Sequence, residues 1–307
     1  MRILAHIHTL NDVDIIDATI EAVQRQTHPV DEIIVVDNGS TDGTLERPIL
    51  KEVTVLRHAE NGGTSGAVYS GLRYGIEHDY DWVWVFDADS IPEPDALQKL
   101  LELHAGWSKE RQDETAFLAC LHANVQDGIP RHAGIFTKRG IDMAQPVPDS
   151  RYYLCHFTIW SGCLYRMEAV REIGLPNPDY MLDWGEGEYG YRIMQAGYKG
   201  FTYLDSQLHH NIRGRLSFNR IEINLGPASF TLFEFKPIRI YYQSRNMVYF
   251  LLYEIEQGNR GLLLRTILGV LRQAGGFMLR PRHHGEHLAA CLRGLWDGLT
   301  GKIAARY

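Results

Sequence analysis

The 307-residue sequence has few cysteines and no apolar run long enough to cross a bilayer. Its four cysteines, at 120, 155, 163 and 291, lie far apart, which argues against a zinc-finger type of site and against a dense disulfide framework. The chain does not start with a basic segment, an apolar stretch and a small-residue cleavage site. We therefore expect reduced, buried thiols and a cytoplasmic protein.

Two common phosphate-binding loops are also missing. The glycine-rich segment NGGTSG, from Asn61 to Gly66, does not have the GxGxxG spacing of dinucleotide-binding proteins, and no GxxxxGK[ST] loop is present. The second absence argues against an ATPase or a kinase. The composition, 45% hydrophobic and 22% charged, is typical of a globular protein, and the length suits one catalytic core with a short C-terminal addition.

Charge is distributed unevenly along the chain. The net charge is −7, yet the part from Lys236 to the C-terminus has eleven Lys/Arg against four Asp/Glu. Its apolar stretch GLLLRTILGVLRQAGGFML is interrupted by Arg265 and Arg272, too early for a membrane span. Two interpretations stay open, a helix that contacts an anionic membrane surface and a helix packed on its own domain. The acidic main body argues against nucleic acid binding.

Strand and helix patterns alternate over the first hundred residues. Short apolar runs at Ile3 to His8, at Ile33 to Val36, in VTVLRH and in DWVWVFDADS each precede a polar or glycine-rich cluster. This pattern predicts an α/β fold with a mostly parallel sheet and helices on both faces. Ligands of such sheets bind beyond the carboxyl ends of the strands, so we expect these polar clusters to converge there.

The pattern changes beyond residue 110. From about residue 115 to 210 we expect further strands, with helices that begin near Met167 and near Glu186. The polar stretch from His210 to about Phe230 predicts an irregular loop beside the site. The part from Ile238 onward predicts helices.

Acidic residues follow two of the predicted strands. Asp87 and Asp89 have the spacing to hold Mg²⁺ or Mn²⁺ through carboxylate oxygens, although turns are also rich in Asp. Asp37 begins the cluster DNGSTDG, where it accepts hydrogen bonds from a base or ribose, or forms a simple Asx turn. The histidine pair His209 and His210 offers an imidazole to complete a metal site with Asp89, or is an ordinary surface pair.

Three further carboxylates lie within the segment DWGEGEYGYR. Glu186 opens a predicted helix, whose dipole keeps a carboxylate ionised and able to accept a proton. Asp183 is a candidate cap for the same helix. Glu188 is a structural or acceptor-orienting candidate.

Together these motifs resemble family 2 of the inverting glycosyltransferases, which have the GT-A fold. The resemblance extends to about residue 250 and rests on eight pieces in order: the first strand to Thr9, VVDNGSTDGT, ENGGTSGAVYSGL, FDADS, WSGCLYRMEAVREIGLP, DWGEGEYGYRIMQAGY, LHH and IRIYYQSRN. The sequence looks most similar to bacterial rhamnosyl- and galactofuranosyl-transferases. Because family members carry Asp at the position of the catalytic base, Glu186 is a departure that leaves Asp183 and Glu188 as alternatives.

The resemblance implies a role for each matching residue. The implied donor-binding residues are Thr9, Asp37, Asn61, Gly62, Gly63, Gly66, Asp87, Ala88, Asp89 and Arg245. Metal binding is implied for Asp89 and His209, with Asp87 as a further candidate. The implied acceptor-binding residues are Trp160, Trp184 and Glu188.

The resemblance also implies a function and a division of the chain. It implies transfer of rhamnose or galactofuranose from a dTDP- or UDP-sugar to a glycan or lipid-linked acceptor of the cell surface, with inversion and with Mn²⁺ or Mg²⁺. The GT-A domain is expected at 1–235, with the nucleotide sugar bound by about 1–110 and the acceptor by about 111–235, and a basic helical region at 236–307. The alternatives are a nucleotidyltransferase of this fold, although ILAHIHTLNDVD lacks its triphosphate loop, and a non-catalytic sugar-binding homologue.

Overall fold

The computed structural model describes residues 1–122, 130, 132–137, 140–210, 219–225, 228–255, 260–279 and 285–307. The chain divides into two compact units. The first unit comprises Met1–Thr137, Ile141–Pro178 and Glu186–Arg213, and the second comprises Lys138–Gly140, Asp179–Gly185 and Gly214–Tyr307. The expected domain boundary at residue 235 stays a prediction.

Within the described residues, the first unit contains most of the strands and the first six α-helices. The strands are β1 (Ile3–Thr9), β2 (Glu32–Asp37), β3 (Thr54–Arg57), β4 (Trp82–Asp87), β5 (Ser90–Pro92), β6 (Thr115–His122), β7 (Gly134–Thr137), β8 (Gly140–Met143), β9 (Gln145–Pro146), β10 (Tyr152–Cys155), β11 (Cys163–Arg166) and β12 (Lys199–His210). The helices are α1 (Ile16–Gln24), α2 (Gly63–Glu77), α3 (Ala96–Ala105), α4 (Lys109–Asp113), α5 (Met167–Ile173) and α6 (Gly185–Gln195).

One large sheet runs through this unit in the order β3-β2-β1-β4-β11-β6-β12-β10-β9, and β5 pairs with the end of β12. The first four strands are parallel. The continuous apolar runs of β1, β2 and β4 predict this arrangement, and these three strands are buried on both faces. Strand β11 is antiparallel to both β4 and β6, so the complete sheet is mixed. The predicted α/β fold with flanking helices is confirmed.

The register of the parallel strands brings several polar residues to one edge. Thr9 pairs with Asp37 of β2, and His8 pairs with Asp87 of β4. The carboxyl ends of β1, β2 and β4 therefore lie level with one another. Helix α2 packs tightly on this part of the sheet, since a Cβ added at Gly71 would approach the His6 ring to 2.5 Å.

The described part of the second unit contains a hairpin and three α-helices. Its elements are β13 (Asn219–Leu225), β14 (Ala228–Glu234), α7 (Pro237–Tyr249), α8 (Arg260–Met278) and α9 (Gly285–Leu299), and a core that includes Tyr241, Phe277 and Cys291 holds the helices together. Among the residues described, no helix has the length and apolar content of a membrane span.

The antiparallel pairing of β13 with β14 corrects the expectation of an irregular loop up to Phe230. The apolar residues at 221, 223 and 225 alternate with polar ones, which is the period of a strand. The first part of the expected loop, residues 211–218, lies outside the described residues.

Candidate functional site

Two carboxylates and one imidazole meet at the edge of the sheet. Asp87 ends β4, Asp89 follows two residues later, and His210 ends β12. One ligand atom from each of the three side chains lies within 4.8 Å of the others. His210 Nε2 is 3.6 Å from Asp87 Oδ2, and its Nδ1 is 3.6 Å from Asp89 Oδ1.

The histidine in this cluster is His210, which corrects the expectation of His209. Adjacent side chains of a strand point to opposite faces of the sheet, so only one of these two imidazoles can face the carboxylates. His209 instead places Nε2 2.6 Å from Glu93 Oε1, and its side chain is 45% exposed, compared with 15% for His210.

The two carboxylates have different electrostatic surroundings. Burial alone would raise the pKa of Asp87, but the charge and hydrogen bond of His8, followed by the charges of His210 and His122, lower it well below the usual range. Burial raises the pKa of Asp89, and the charges of Asp87 and Asp12 raise it further against the opposing effect of His210. The charge of Asp89 is therefore less fully compensated than that of Asp87.

This donor set fits a divalent cation. Carboxylate oxygens are the ligands that Mg²⁺ and Mn²⁺ prefer, and an imidazole is a common additional ligand of transition metals. A positive charge at this place would offset the cost of burying the Asp89 carboxylate and its smaller repulsion from Asp87 and Asp12. Asp87, Asp89 and His210 would hold the ion.

His8 is a contributor that sequence reasoning missed. Its Nε2 lies 2.5 Å from Asp87 Oδ1, and its side chain is buried. The available signal was a histidine directly before Thr9 in an otherwise apolar buried strand. His8 orients Asp87 and offsets part of its charge.

Thr9 and Asp37 lie at the same edge of the sheet, and both side chains are engaged within the protein. The Thr9 hydroxyl donates to Asp12 Oδ2 at 2.9 Å. The fully buried Asp37 accepts from the backbone N–H groups of Gly39 and Ser40, at 3.2 and 3.0 Å, which is the Asx turn kept open as an alternative. The structure thus shows a turn-forming role for Asp37 and brings it to the predicted edge.

The glycine-rich loop leads directly into helix α2. Asn61 Oδ1 accepts from the Gly63 N–H at 2.8 Å, and Gly63 has a φ of +67°. The Asn38 amide donates to the Gly63 carbonyl at 3.2 Å, which ties the loop to the turn after β2. A Cβ added at Gly66 would meet nothing within 4 Å. The loop therefore presents a helix N-terminus with little side-chain cover, an arrangement suited to an anion.

The three carboxylates of DWGEGEYGYR differ in their partners. Asp183 accepts two hydrogen bonds from Arg239, at 2.7 and 3.0 Å. The buried Glu188 is ion-paired with Arg192. Both carboxylates are therefore already engaged by arginine side chains. Glu186 is half-buried in the first turn of α6.

A strained segment leads into Glu186. Met181, Asp183 and Trp184 all have positive φ, which costs about 1–3 kcal/mol for each non-glycine residue. The buried Asn246 amide donates to three backbone carbonyls of this segment at 2.6–2.8 Å, those of Tyr180, Leu182 and Asp183. Asn246 is a second residue that sequence reasoning missed.

Arg245 and Trp160 do not occupy the predicted places. Arg245 is fully buried in the second unit, where its guanidinium donates to the carbonyls of Asp179 and Ala305 and to Asn246 Oδ1. These contacts give it a packing role in place of the predicted contact with a diphosphate. Trp160 is buried beside the rings of Tyr165 and Tyr189, in the core rather than on an acceptor surface.

The remaining two predicted residues are placed as follows. Trp184 is half-buried and stacks on Phe250, with the ring centroids 5.8 Å apart. Ala88 is buried, and its carbonyl accepts a hydrogen bond from the Thr19 hydroxyl at 2.6 Å. Ala88 therefore holds the turn between the two metal-binding candidates.

Comparison with known sequences places this site in context. The profile of Glycosyl transferase family 2 matches residues 5–174. An undecaprenyl-phosphate mannosyltransferase of Micrococcus luteus is 34% identical over 110 residues, which cover 33% of this chain and 44% of the relative. The galactofuranosyltransferase GlfT1 of Mycobacterium tuberculosis is 25% identical over 203 residues, 62% of this chain and 64% of the relative. The chain thus spans less than two thirds of either curated relative.

Solved structures show the same fold. S. aureus TarS 1–349 superposes with a TM-score of 0.55 at 15% identity, over 99% of this chain and 88% of that one. GalNAc-T7 with UDP, GalNAc and Mn²⁺ superposes with a TM-score of 0.56 at 17% identity, over 68% of this chain and 44% of that one.

The choice between the two neighbouring histidines can be tested by metal titration. We expect His210→Ala to weaken Mn²⁺ binding by more than about tenfold, because it removes one of three ligands, and His209→Ala to leave the affinity unchanged. The free Mn²⁺ signal in electron paramagnetic resonance measures both affinities. Equal losses in the two variants, or a loss in His209→Ala alone, would contradict the assignment.

Proposed function

The chain belongs to glycosyl transferase family 2, and on this premise we propose that it is a metal-dependent inverting glycosyltransferase that uses a nucleoside diphosphate sugar. The observation that carries the proposal is the convergence of Asp87, Asp89 and His210 at the sheet edge that also carries Asp37. A divalent ion held there would neutralise the charge of a leaving diphosphate.

The donor site is proposed at the carboxyl ends of the parallel strands. Thr9 and Asp37 are assigned to the nucleoside, together with the loop from Asn61 to Gly66. The N-terminus of α2 adds favourable backbone N–H groups near a phosphate. Asp87, Ala88 and Asp89 form the part of the site next to the diphosphate.

Galactofuranose from a UDP-sugar and rhamnose from a dTDP-sugar are the proposed donors. A galactofuranosyltransferase among the relatives supports the first of these. The motifs YYQSRN and NGGTSG suit either sugar. A mannosyltransferase is also among the relatives, so GDP-mannose belongs in any donor screen.

Glu186 is the proposed catalytic base. Its carboxylate takes the proton from an acceptor hydroxyl as the oxygen attacks the anomeric carbon. The bond from that carbon to the diphosphate oxygen breaks in the same step, and its electron pair leaves with the nucleoside diphosphate. One displacement inverts the anomeric configuration. The two alternatives, Asp183 and Glu188, are held in ion pairs with Arg239 and Arg192, which direct their carboxylates toward those side chains.

The proposed acceptor is a glycan or a lipid-linked saccharide, with Trp184 as its stacking contact. An aromatic ring that is partly exposed offers a face to a sugar. The undecaprenyl-phosphate mannosyltransferase among the relatives supports the lipid-linked class.

We also propose that the second unit contacts an anionic membrane from the cytoplasmic side. Leu264 and Leu268 on α8 are 58% and 55% exposed, and Trp296 on α9 is 62% exposed. The exposed Arg265 and Arg272 accompany them, and α8 contains no acidic residue. An apolar face bordered by arginines is complementary to a surface of acidic headgroups and acyl chains.

The proposed reaction is tested with purified protein, Mn²⁺ and a panel of UDP-, dTDP- and GDP-sugars. We expect one donor to raise the melting temperature, since a ligand that binds only the folded state stabilises it, and to be consumed when a suitable acceptor is added. Nuclear magnetic resonance of the product should show an inverted anomeric centre. Retained configuration would reject the single displacement, and stabilisation without turnover on any acceptor would favour a sugar-binding protein.

The base assignment predicts different results for two neighbouring carboxamide variants. We expect Glu186→Gln to lower kcat by at least about 10²-fold while nucleotide affinity is unchanged, because the base contributes to the chemical step and not to donor binding. Asp183→Asn serves as the rival variant. A greater loss of kcat in Asp183→Asn than in Glu186→Gln, with both proteins folded, would transfer the role to Asp183.

Flotation with phosphatidylserine vesicles tests the membrane contact. We expect the double variant Arg265→Gln/Arg272→Gln to bind about 30-fold more weakly, since each arginine near an anionic surface contributes about 1 kcal/mol. Leu264→Gln/Leu268→Gln should lose more, because each buried leucine contributes about 1.5–3 kcal/mol. Met143→Gln, which alters an exposed apolar residue of the first unit, is the control. A wild-type protein that stays unbound at low salt would reject the contact.

A further inference from the structure

Two buried serines connect Asp87 with His210 through a series of hydrogen bonds. The Asp87 backbone N–H donates to Ser161 Oγ at 3.1 Å, and the Ser161 hydroxyl donates to Ser90 Oγ at 2.7 Å. Ser90 Oγ lies 2.7 Å from His210 Nδ1. The series therefore runs from the backbone of one candidate metal ligand to the ring of another.

The backbone holds both serines in place. Ser90 begins β5 and pairs directly with His210 of β12. Ser161 precedes Gly162, which has a φ of +85° and donates its N–H to the Val85 carbonyl at 2.8 Å. Both side chains are buried. The hydroxyl oxygens are thus fixed, while their hydrogens remain free to rotate.

The hydrogen bonds leave two arrangements of the imidazole, one for each tautomer of His210. A backbone amide can only donate, so Ser161 Oγ accepts from it and passes its own hydrogen to Ser90. Ser90 Oγ keeps a lone pair that can accept the Nδ1–H of His210, and Nε2 then has a lone pair as well. The opposite direction of the last hydrogen bond would place the proton on Nε2, 3.6 Å from Asp87 Oδ2.

We propose that Ser90 and Ser161 are positioning residues that hold His210 as the Nδ1–H tautomer, so that the Nε2 lone pair serves the divalent ion. The group that accepts from the second nitrogen of a ligating histidine fixes both its tautomer and its ring orientation. The Ser90 hydroxyl can act as this acceptor by rotation of its O–H bond, without movement of a heavy atom. The inference rests on the proposed metal site.

Manganese titration of serine variants tests the inference. We expect Ser90→Ala to weaken Mn²⁺ binding by about 10- to 100-fold, the usual effect of removing such a partner. Ser161→Ala should have a smaller effect, and the double variant should match Ser90→Ala, because both serines act through one nitrogen. Ser206→Ala is the matched control, since this buried serine of β12 donates to the Ala96 carbonyl.

The tautomer itself provides a readout that a loss of packing would not change. Long-range ¹⁵N–¹H spectra of histidine-labelled protein with Mg²⁺ distinguish the protonated ring nitrogen, and His210→Gln assigns the signal. We expect Nδ1–H in the wild type and a mixture of tautomers in Ser90→Ala. Should Ser90→Ala fail to fold, Ser161→Ala carries the same test.

The possible failures are distinguishable. An unchanged Mn²⁺ affinity in folded Ser90→Ala, additive losses in the double variant, or Nε2–H in the Mg²⁺-loaded wild type would overturn the inference. In those cases Asp89→Ala and His210→Ala would still lose affinity. If these two variants also bound Mn²⁺ normally, the proposed metal site itself would be wrong.

Discussion

The site depends on the close approach of two partly buried carboxylates, Asp87 and Asp89, whose nearest ligand atoms lie within 4.8 Å of one another at the end of β4. Like charges at such a distance repel, and partial burial strengthens the repulsion. The fold compensates for Asp87 through His8 and His210, whereas the pKa of Asp89 remains raised. A bound cation would remove the remaining repulsion, so cation binding and the stability of the folded state are linked.

The sequence predicted the sheet well because burial on both faces leaves a simple signal. Continuous apolar runs that end at Asp37 and Asp87 define parallel strands, and parallel strands bring their ends together. The structure places His210, and not His209, beside the two carboxylates, and the local sequence pattern does not show this. Strand β12 has a register shift between Tyr203 and Gln207, so the alternation of its first half does not continue to its end. The face of each histidine is decided by pairing with β5, which is distant in sequence.

The local sequence pattern also does not show that Arg245 and Trp160 are buried. The pattern of α7 does not reveal whether an arginine points to solvent or to the core. Arg245 points inward because the carbonyls of Asp179 and Ala305 accept its hydrogen bonds. A buried guanidinium is stable under that condition, and the two partners lie about 60 residues away on either side. Trp160 likewise has its place fixed by rings from β11 and α6.

Asn246 connects this packing to the chemistry. Three residues with positive φ precede Glu186, and such a backbone persists only where several contacts enforce it. Asn246 supplies them from the interior of the second unit, and Arg245 anchors the same segment through the Asp179 carbonyl. A rigid backbone before α6 restricts the position from which the Glu186 side chain extends. Glu186 is one methylene longer than the Asp that is usual at this position in the family. With the backbone held by the strained turn, the side-chain rotamer of Glu186 must take up this extra length. The position of the carboxylate therefore also depends on the packing around α6.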